Sequence, residues 1–332
     1  MNTDGLDFVA IGDTAVDEFI RLKDASVHCD INNQDCTISM RWGDKIPYDF
    51  AVFVPGVGNA ANAAVSAARL GLATGFVSNV GDDRFGKEIL ENFGKERVQT
   101  DYIKVNQGVR TNHHYVLWFE SERTILIRHE EYPYALPEGF VPPKWIYLSS
   151  AGDKSEEFHL ELAKWLEGHQ ETKLAFQPGT FQMNMGKEKL ADLYGNTELL
   201  ACNKQEAERI LGLGETDVKE LLEGLHAIGP RLILLTDGTN GSYGYDGAKM
   251  WFVPMYPDPK PPYERTGAGD ACTSTVVAAL ALGKSFEEAL LWGPINSMSV
   301  VQEIGAQKGL LSRDAVEKYL AEAPASYALA PL

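Results

Sequence analysis

The sequence predicts an α/β fold: a three-layer sandwich whose mostly parallel central sheet is flanked by helices, with a small β-sheet lid. Three observations carry this. Short apolar runs of strand length alternate with helical segments, the pattern of a parallel sheet covered on both faces. Glycine and small polar residues follow those runs, as expected where strands of an open α/β sheet end. Two stretches break the alternation and read as short β-strands, which predicts a separate β layer. The chain has 332 residues, 44% of them hydrophobic, enough for one large domain. No repeat, low-complexity tract or Pro/Ser linker divides it, so residues 1–332 are expected to form a single unit.

Residues 7–12 (DFVAIG) read as the first strand, with Asp13, Thr14 and Asp17 just beyond it. These acids serve either turn chemistry or the ligand crevice at the strand's end. Residues 18–55 are irregular, with an alternating piece at 37–42 that reads as a short antiparallel strand. Residues 108–131 repeat that texture around a polar turn at 120–123. Both segments are assigned to one lid. Arg128, His129 and Glu130 at its end read as a solvated face.

Between the lid segments, residues 56–62 (GVGNAAN) open an alanine-rich helix over 63–70 that stops at Gly71. Asn62 falls in its first turn, where an amide can cap the helix or hold a hydroxyl. The same residues spell G-x-G-x-x-A, with a strand at 52–54 before them and Asp82 or Asp83 after. That is a dinucleotide-binding fingerprint and a rival reading. Against it, the domain's own first strand is 7–12, which lacks the glycines.

Further strands are expected at 76–81, 145–149, 174–176, 199–202 and 231–235, and helices at 85–93, 156–167 and through 211. The loop 236–241 (TDGTNG) follows the last of these strands. Gly283-Lys284-Ser285 resembles the end of a P-loop, but position 278 is Ala and the triplet follows a helix. It reads as a helix C-terminal glycine with a new cap. Residues 323–332 read as a surface arm.

The most informative stretch is 263–272 (YERTGAGDAC), which leads into a small-residue apolar run ending at Leu282. Glycines ahead of a helix let backbone N–H groups crowd around an anion, and the helix N-terminus adds positive potential. Asp270 is either an ordinary helix cap or a carboxylate placed where charge moves in a reaction.

The net charge of −17 argues against nucleic acid or an anionic membrane as partner. The four cysteines (Cys29, Cys36, Cys202 and Cys272) are few and unevenly spread, which favours a reducing compartment. A bridge or metal pair at Cys29 and Cys36 is not expected. No basic leader or bilayer-length apolar run is present, so a cytoplasmic location is expected.

Assembled, these pieces resemble the ribokinase-like (PfkB) family of carbohydrate and nucleoside kinases nearly end to end. The resemblance rests on Thr266-Gly267-Ala268-Gly269-Asp270, on Asn203-x-x-Glu206, on Thr236-x-Gly238-x-x-Gly241, on Gly58 and Asn62, and on Asp17. It implies an ATP-dependent kinase in which Asp270 is the general base and the turn Gly267, Ala268 and Gly269 stabilises the transferring phosphoryl group. It implies that Asn203 and Glu206 organise Mg²⁺ through water, and that Thr236, Gly238, Gly241 and Asn296 border ATP. Asp17, Gly58 and Asn62 would hold the acceptor. The acceptor would be a furanose-type sugar, with a nucleoside as the alternative and Trp42, Tyr115 and Trp118 as a slot for its base. A catalytically silent sugar-binding protein on the same fold is a further alternative. The resemblance also implies a homodimer through the lid and, at Glu264, a potassium site, although the family usually has Asp there. Val57 likewise stands where a glycine is usual.

Overall fold

The computed structural model describes residues 5–29, 36–120 and 122–332. The leader region 1–4, part of the first lid segment (30–35) and one residue of the expected turn at 120–123 lie outside the described residues.

The chain opens with β1 (Phe8–Ile11), then β2 (Ala15–Leu22), β3 (Ser26–His28), β4 (Thr37–Ser39) and β5 (Tyr48–Val57). Helix α1 (Asn59–Arg69), β6 (Thr74–Gly81), α2 (Arg84–Lys95), β7 (Ile103–Asn106), β8 (His113–Phe119) and β9 (Glu122–Leu126) follow. Next come β10 (Trp145–Leu148), α3 (Glu156–Glu167), β11 (Lys173–Phe176), α4 (Thr180–Met185), α5 (Ala191–Gly195), β12 (Thr197–Asn203), α6 (Lys204–Leu211) and α7 (Val218–Ala227). The last part holds β13 (Leu232–Thr236), β14 (Ser242–Tyr245), β15 (Met250–Val253), α8 (Ala268–Ala281), α9 (Phe286–Val300), α10 (Arg313–Ala321) and β16 (Ala330–Pro331).

The central sheet has the order β16-β15-β14-β13-β12-β11-β10-β1-β6-β7. It is parallel from β13 through β7, and the three strands at the other end are antiparallel. Successive side chains of a strand face opposite ways. Phe8 and Ala10 therefore join the core under α1, α8 and α9, while Val9 and Ile11 join the core under α3, α6 and α7. Burial on both faces is why the strands read as unbroken apolar runs. Small residues let α1 lie close to the sheet: a Cβ on Gly12 would come within 2.8 Å of the Ala60 Cβ.

The second sheet has the order β5-β2-β8-β9. β2 and β5 come from the first of the two irregular segments and its flanks, and β8 and β9 from the second. One pair departs from the antiparallel expectation: β2 and β8 run parallel, because a long excursion through the main sheet separates them. The piece expected at 37–42 shrinks to β4, which pairs only with β3 as an exposed hairpin.

Four further expectations are corrected. The strand before the Gly56 fingerprint is β5, which pairs with β2 in the second sheet and not in the parallel sheet. The dinucleotide-binding reading fails on that topology. The tail is not a free arm: β16 pairs with β15, and Tyr327 is buried with its hydroxyl on the Leu291 carbonyl. Cys29 and Cys36 form a disulfide that closes the β3–β4 hairpin. Asp17 is not in the turn after β1 but within β2, opposite His114 and Val54. Ser285 does cap α9, as the reading of Gly283-Lys284-Ser285 requires. No helix among the described residues is long and apolar enough to cross a membrane.

Candidate active site

Helix α8 begins immediately after Gly267, whose φ of +78° places it in the left-handed region. A Cβ there would sit 2.2 Å from the Ala306 Cβ, so both conformation and space call for glycine. The first-turn N–H groups of a helix have no intrahelical acceptors, which leaves those of Gly269 and Asp270 facing outward. Upstream, Glu264 ties the turn together: its Oε1 accepts from the backbone N–H of Thr266 at 2.7 Å and from the Thr266 hydroxyl. Downstream, the Ser297 hydroxyl of α9 bonds the Ala268 carbonyl.

The Asp270 side chain is only 9% exposed and points away from its own helix. Its Oδ1 accepts from the amides of Asn59 at 2.9 Å and Gln177 at 3.2 Å, and its Oδ2 accepts from Asn62 at 2.8 Å. Three amide N–H donors stabilise the carboxylate, yet burial outweighs them and holds its pKa above the usual range. Gln307 donates to the Asn62 carbonyl oxygen at 3.0 Å and fixes that amide's orientation.

Two regions surround the turn. One is a cavity of about 480 Å³, lined by Thr236, Gly238 and Gly241, by Ala268 and Gly269, and by apolar Met255, Tyr256, Pro294, Met298 and Val301. In the other, residues beyond β1 and β10 meet residues of the second sheet and of the segment after it. The Asp13 carboxylate accepts from the Tyr134 hydroxyl at 2.9 and 3.0 Å, and that hydroxyl accepts from the Gly152 N–H. His129 Nδ1 lies 3.6 Å from Asp13, and its ring is 5.1 Å from that of His114. His114 in turn contacts Asp17 at 3.1 Å. Gly58 lets α1 start against Asp13, whose carbonyl oxygen would be 2.8 Å from any Cβ.

Asn203 and Glu206 form a reciprocal capping box at the start of α6: Oδ1 accepts from the Glu206 N–H and Oε2 from the Asn203 N–H, both at 2.9 Å. Burial raises the Glu206 pKa, and the charge of Asp270 adds to the effect, so the two carboxylates sense each other.

Some expected placements change. Asn296 is fully buried, donates to the Thr275 hydroxyl at 2.7 Å and accepts from the Leu311 N–H at 2.9 Å. Its amide is consumed by the fold, and it does not line the cavity that its neighbours Ser297 and Met298 border. Trp42 is 99% exposed and Tyr115 faces solvent, while Trp118 is buried against Phe50, Arg21 and Tyr263. These three do not form a slot. His129, read as part of a solvated face, is exposed, and its ring also reaches Asp13 and His114. Sequence reasoning missed Asn59, Gln177, Gln307, His114 and Tyr134. Only Asn59 left a signal, its i,i+3 spacing to Asn62 on one helix face.

Residues 51–313 match the family described as "pfkB family carbohydrate kinase". The chain belongs to that family. It is 29% identical to the ribokinase of Bacillus subtilis over 272 residues, covering 80% of this chain and 88% of that protein. It is 28% identical to the cytidine kinase of Thermococcus kodakarensis over 263 residues, covering 76% of this chain and 90% of that one. Its fold is similar to that of Arabidopsis thaliana ribokinase solved with ribose and ATP, with a TM-score of 0.79 and 21% identity over 96% of this chain and 99% of that chain. The expected α/β architecture with a small second sheet is thus the ribokinase fold, and the protein is a carbohydrate or nucleoside kinase of this family.

Proposed function

We propose that the kinase transfers the terminal phosphoryl group of ATP to a primary hydroxyl of a furanose-type sugar, with Asp270 as general base. One observation carries the reading. A buried carboxylate, its pKa raised by burial, stands in the first turn of the helix whose Ala268 and Gly269 line the apolar cavity. The cavity suits the base and ribose of ATP, along the loop of Thr236, Gly238 and Gly241. The outward N–H groups of the Gly267–Asp270 turn would face the phosphoryl group in flight. Asp270 would take the acceptor's proton, a contribution of about 10²–10⁴-fold. Asn59, Asn62 and Gln177 keep the carboxylate ionised and aimed. Asp17, with His114, and the open backbone at Gly58 would bind the acceptor's other hydroxyls.

Glu206 is positioned to hold Mg²⁺ through water, since one carboxylate plus nucleotide phosphates is the usual protein share for that ion. When bound, Mg²⁺ would neutralise charge building on the phosphates. The second sheet, contributed by about 18–55 and 108–131, would act as the lid. Phe53, Tyr115 and Leu126 share its outer face and are exposed, which makes that face the proposed homodimer surface. A cytoplasmic setting follows from the need for ATP, and the disulfide sits apart on an exposed hairpin.

A nucleoside acceptor is the second reading, favoured by the cytidine kinase relative and by the Phe181 ring, 6.3 Å from that of His129. ADP release with Mg-ATP over a panel of pentoses, hexoses and nucleosides, for wild type and Asp270→Asn, tests both. Turnover with a free furanose sugar that collapses in the variant is expected. Undiminished turnover in the variant refutes the base. Tight sugar binding without turnover would point to the silent binding protein instead.

A further inference from the structure

The second sheet sends one guanidinium into the catalytic turn. Arg123 of β9 lies with Nη1 3.6 Å from Oε1 of Glu264, whose side chain is 3% exposed. Beside it, Trp118 of β8, which is paired with Arg123 across the sheet, packs edge-on against Tyr263 at 5.2 Å. Two atoms of the ion pair, Arg123 Nε and Glu264 Oε2, are buried without a hydrogen-bond partner among the described residues. A short approach of the sheet would let a guanidinium fork and a carboxylate match both pairs of atoms.

A buried carboxylate is costly unless hydrogen bonds or a positive neighbour compensate it, and one oxygen of Glu264 has no hydrogen bond among the described residues. Glu264 is the residue that holds Thr266, four positions before Asp270 in the first turn of α8. Its compensating charge therefore bears directly on where the turn and Asp270 sit. The family resemblance places a potassium ion at this carboxylate. The residues present do not fit one: a fixed guanidinium already faces the carboxylate, and the nearby Val301 carbonyl is occupied by the N–H groups of both Tyr263 and Glu264.

We propose that Arg123 is a positioning residue that supplies, from the second sheet, the positive charge at Glu264, so that this kinase works without an alkali cation. Arg123 touches neither reactant. It acts through Glu264 and Thr266 on the turn, and the contact tightens as the sheet closes over the acceptor. The inference builds on the turn's role proposed above but does not need Asp270 to be the base.

Thermal melts and turnover of the wild type and Arg123→Met, each in 100 mM choline chloride and in 100 mM KCl, test the proposal (concentrations of order ~0.1 M, where screening is equal). For the wild type, melting temperature and kcat are expected to be the same in the two salts. Arg123→Met should lose about tenfold or more in kcat in choline, counted per folded molecule as read from the melt, with KM for ATP little changed. Potassium should then raise both its kcat and its melting temperature, the latter by about 2 °C or more as the ion binds the bared carboxylate. A wild type activated or specifically stabilised by potassium would overturn the proposal. So would an Arg123→Met protein that keeps its full kcat in choline. The wild-type melts need no acceptor and no variant, so they can refute the proposal even if Arg123→Met does not fold or the acceptor is misassigned.

Discussion

The two glycines of the turn that opens α8 should fail in opposite ways when each is changed to alanine. At Gly267, a side chain must adopt φ near +78°, which costs about 1–2 kcal/mol for an L-residue. The new Cβ would also lie 2.2 Å from the Ala306 Cβ and 2.7 Å from its Cα, so the 305–307 backbone or the turn must move by more than ~1 Å. Overpacking of this kind costs about 1–3 kcal/mol, and together the two effects give a loss of about 2–5 kcal/mol. For a chain of this size that lowers Tm by about 3–7 °C. A displacement of that order at Asp270 would also cut kcat by about 10²-fold. At Gly269 nothing lies within 4 Å of the added Cβ and the residue is already helical, so Gly269→Ala should leave stability unchanged or raise it by up to ~1 kcal/mol. Yet Gly269 lines the cavity proposed to hold the nucleotide, and a methyl group there should hold the phosphate off the turn and cost at least ~10-fold in kcat/KM. Urea melts paired with ADP release read both effects. A stable Gly267→Ala protein, or a fully active Gly269→Ala protein, would refute the reasoning about the turn.

Three other outcomes follow from the site. Burial raises the Asp270 pKa, and a base works only when deprotonated, so kcat/KM should fall on the acid side along a limb that begins above the usual carboxylate range. Asp270→Asn should remove that limb along with about 10²–10⁴ of the rate. The same shift has a stability cost: an acid with a raised folded pKa carries no penalty at low pH, and the penalty builds as pH rises from the unfolded toward the folded value. Asn296→Ala should strip partners from the Thr275 hydroxyl and the Leu311 N–H, lowering stability by about 2–4 kcal/mol while KM for ATP stays within about threefold. If KM rises far more than stability falls, Asn296 touches the nucleotide after all. Reduction of the Cys29–Cys36 bridge should leave kcat unchanged, because it closes a hairpin that belongs to neither the main sheet nor the second one. A marked loss of turnover in dithiothreitol would show that the hairpin helps close the site.

Local patterns told a great deal about this chain. Alternating apolar runs and helices determined a parallel sheet with two buried faces, because burial on both sides leaves no polar alternation to blur the strands. The glycines before Asp270 marked a turn that opens a helix, because glycine tolerates the left-handed conformation that Gly267 adopts there. Such signals reach a few residues along the chain. Tertiary structure alone decided what surrounds Asp270: its amide donors Asn59, Asn62 and Gln177 stand 211, 208 and 93 positions away. It alone showed that Asn296 is spent on Thr275 and Leu311, that the strand before Gly56 belongs to the second sheet, and that Arg123 faces Glu264. A hydrogen bond or ion pair between distant residues leaves no periodicity and favours no local conformation. It exists only once the order of the strands has brought their ends to one place.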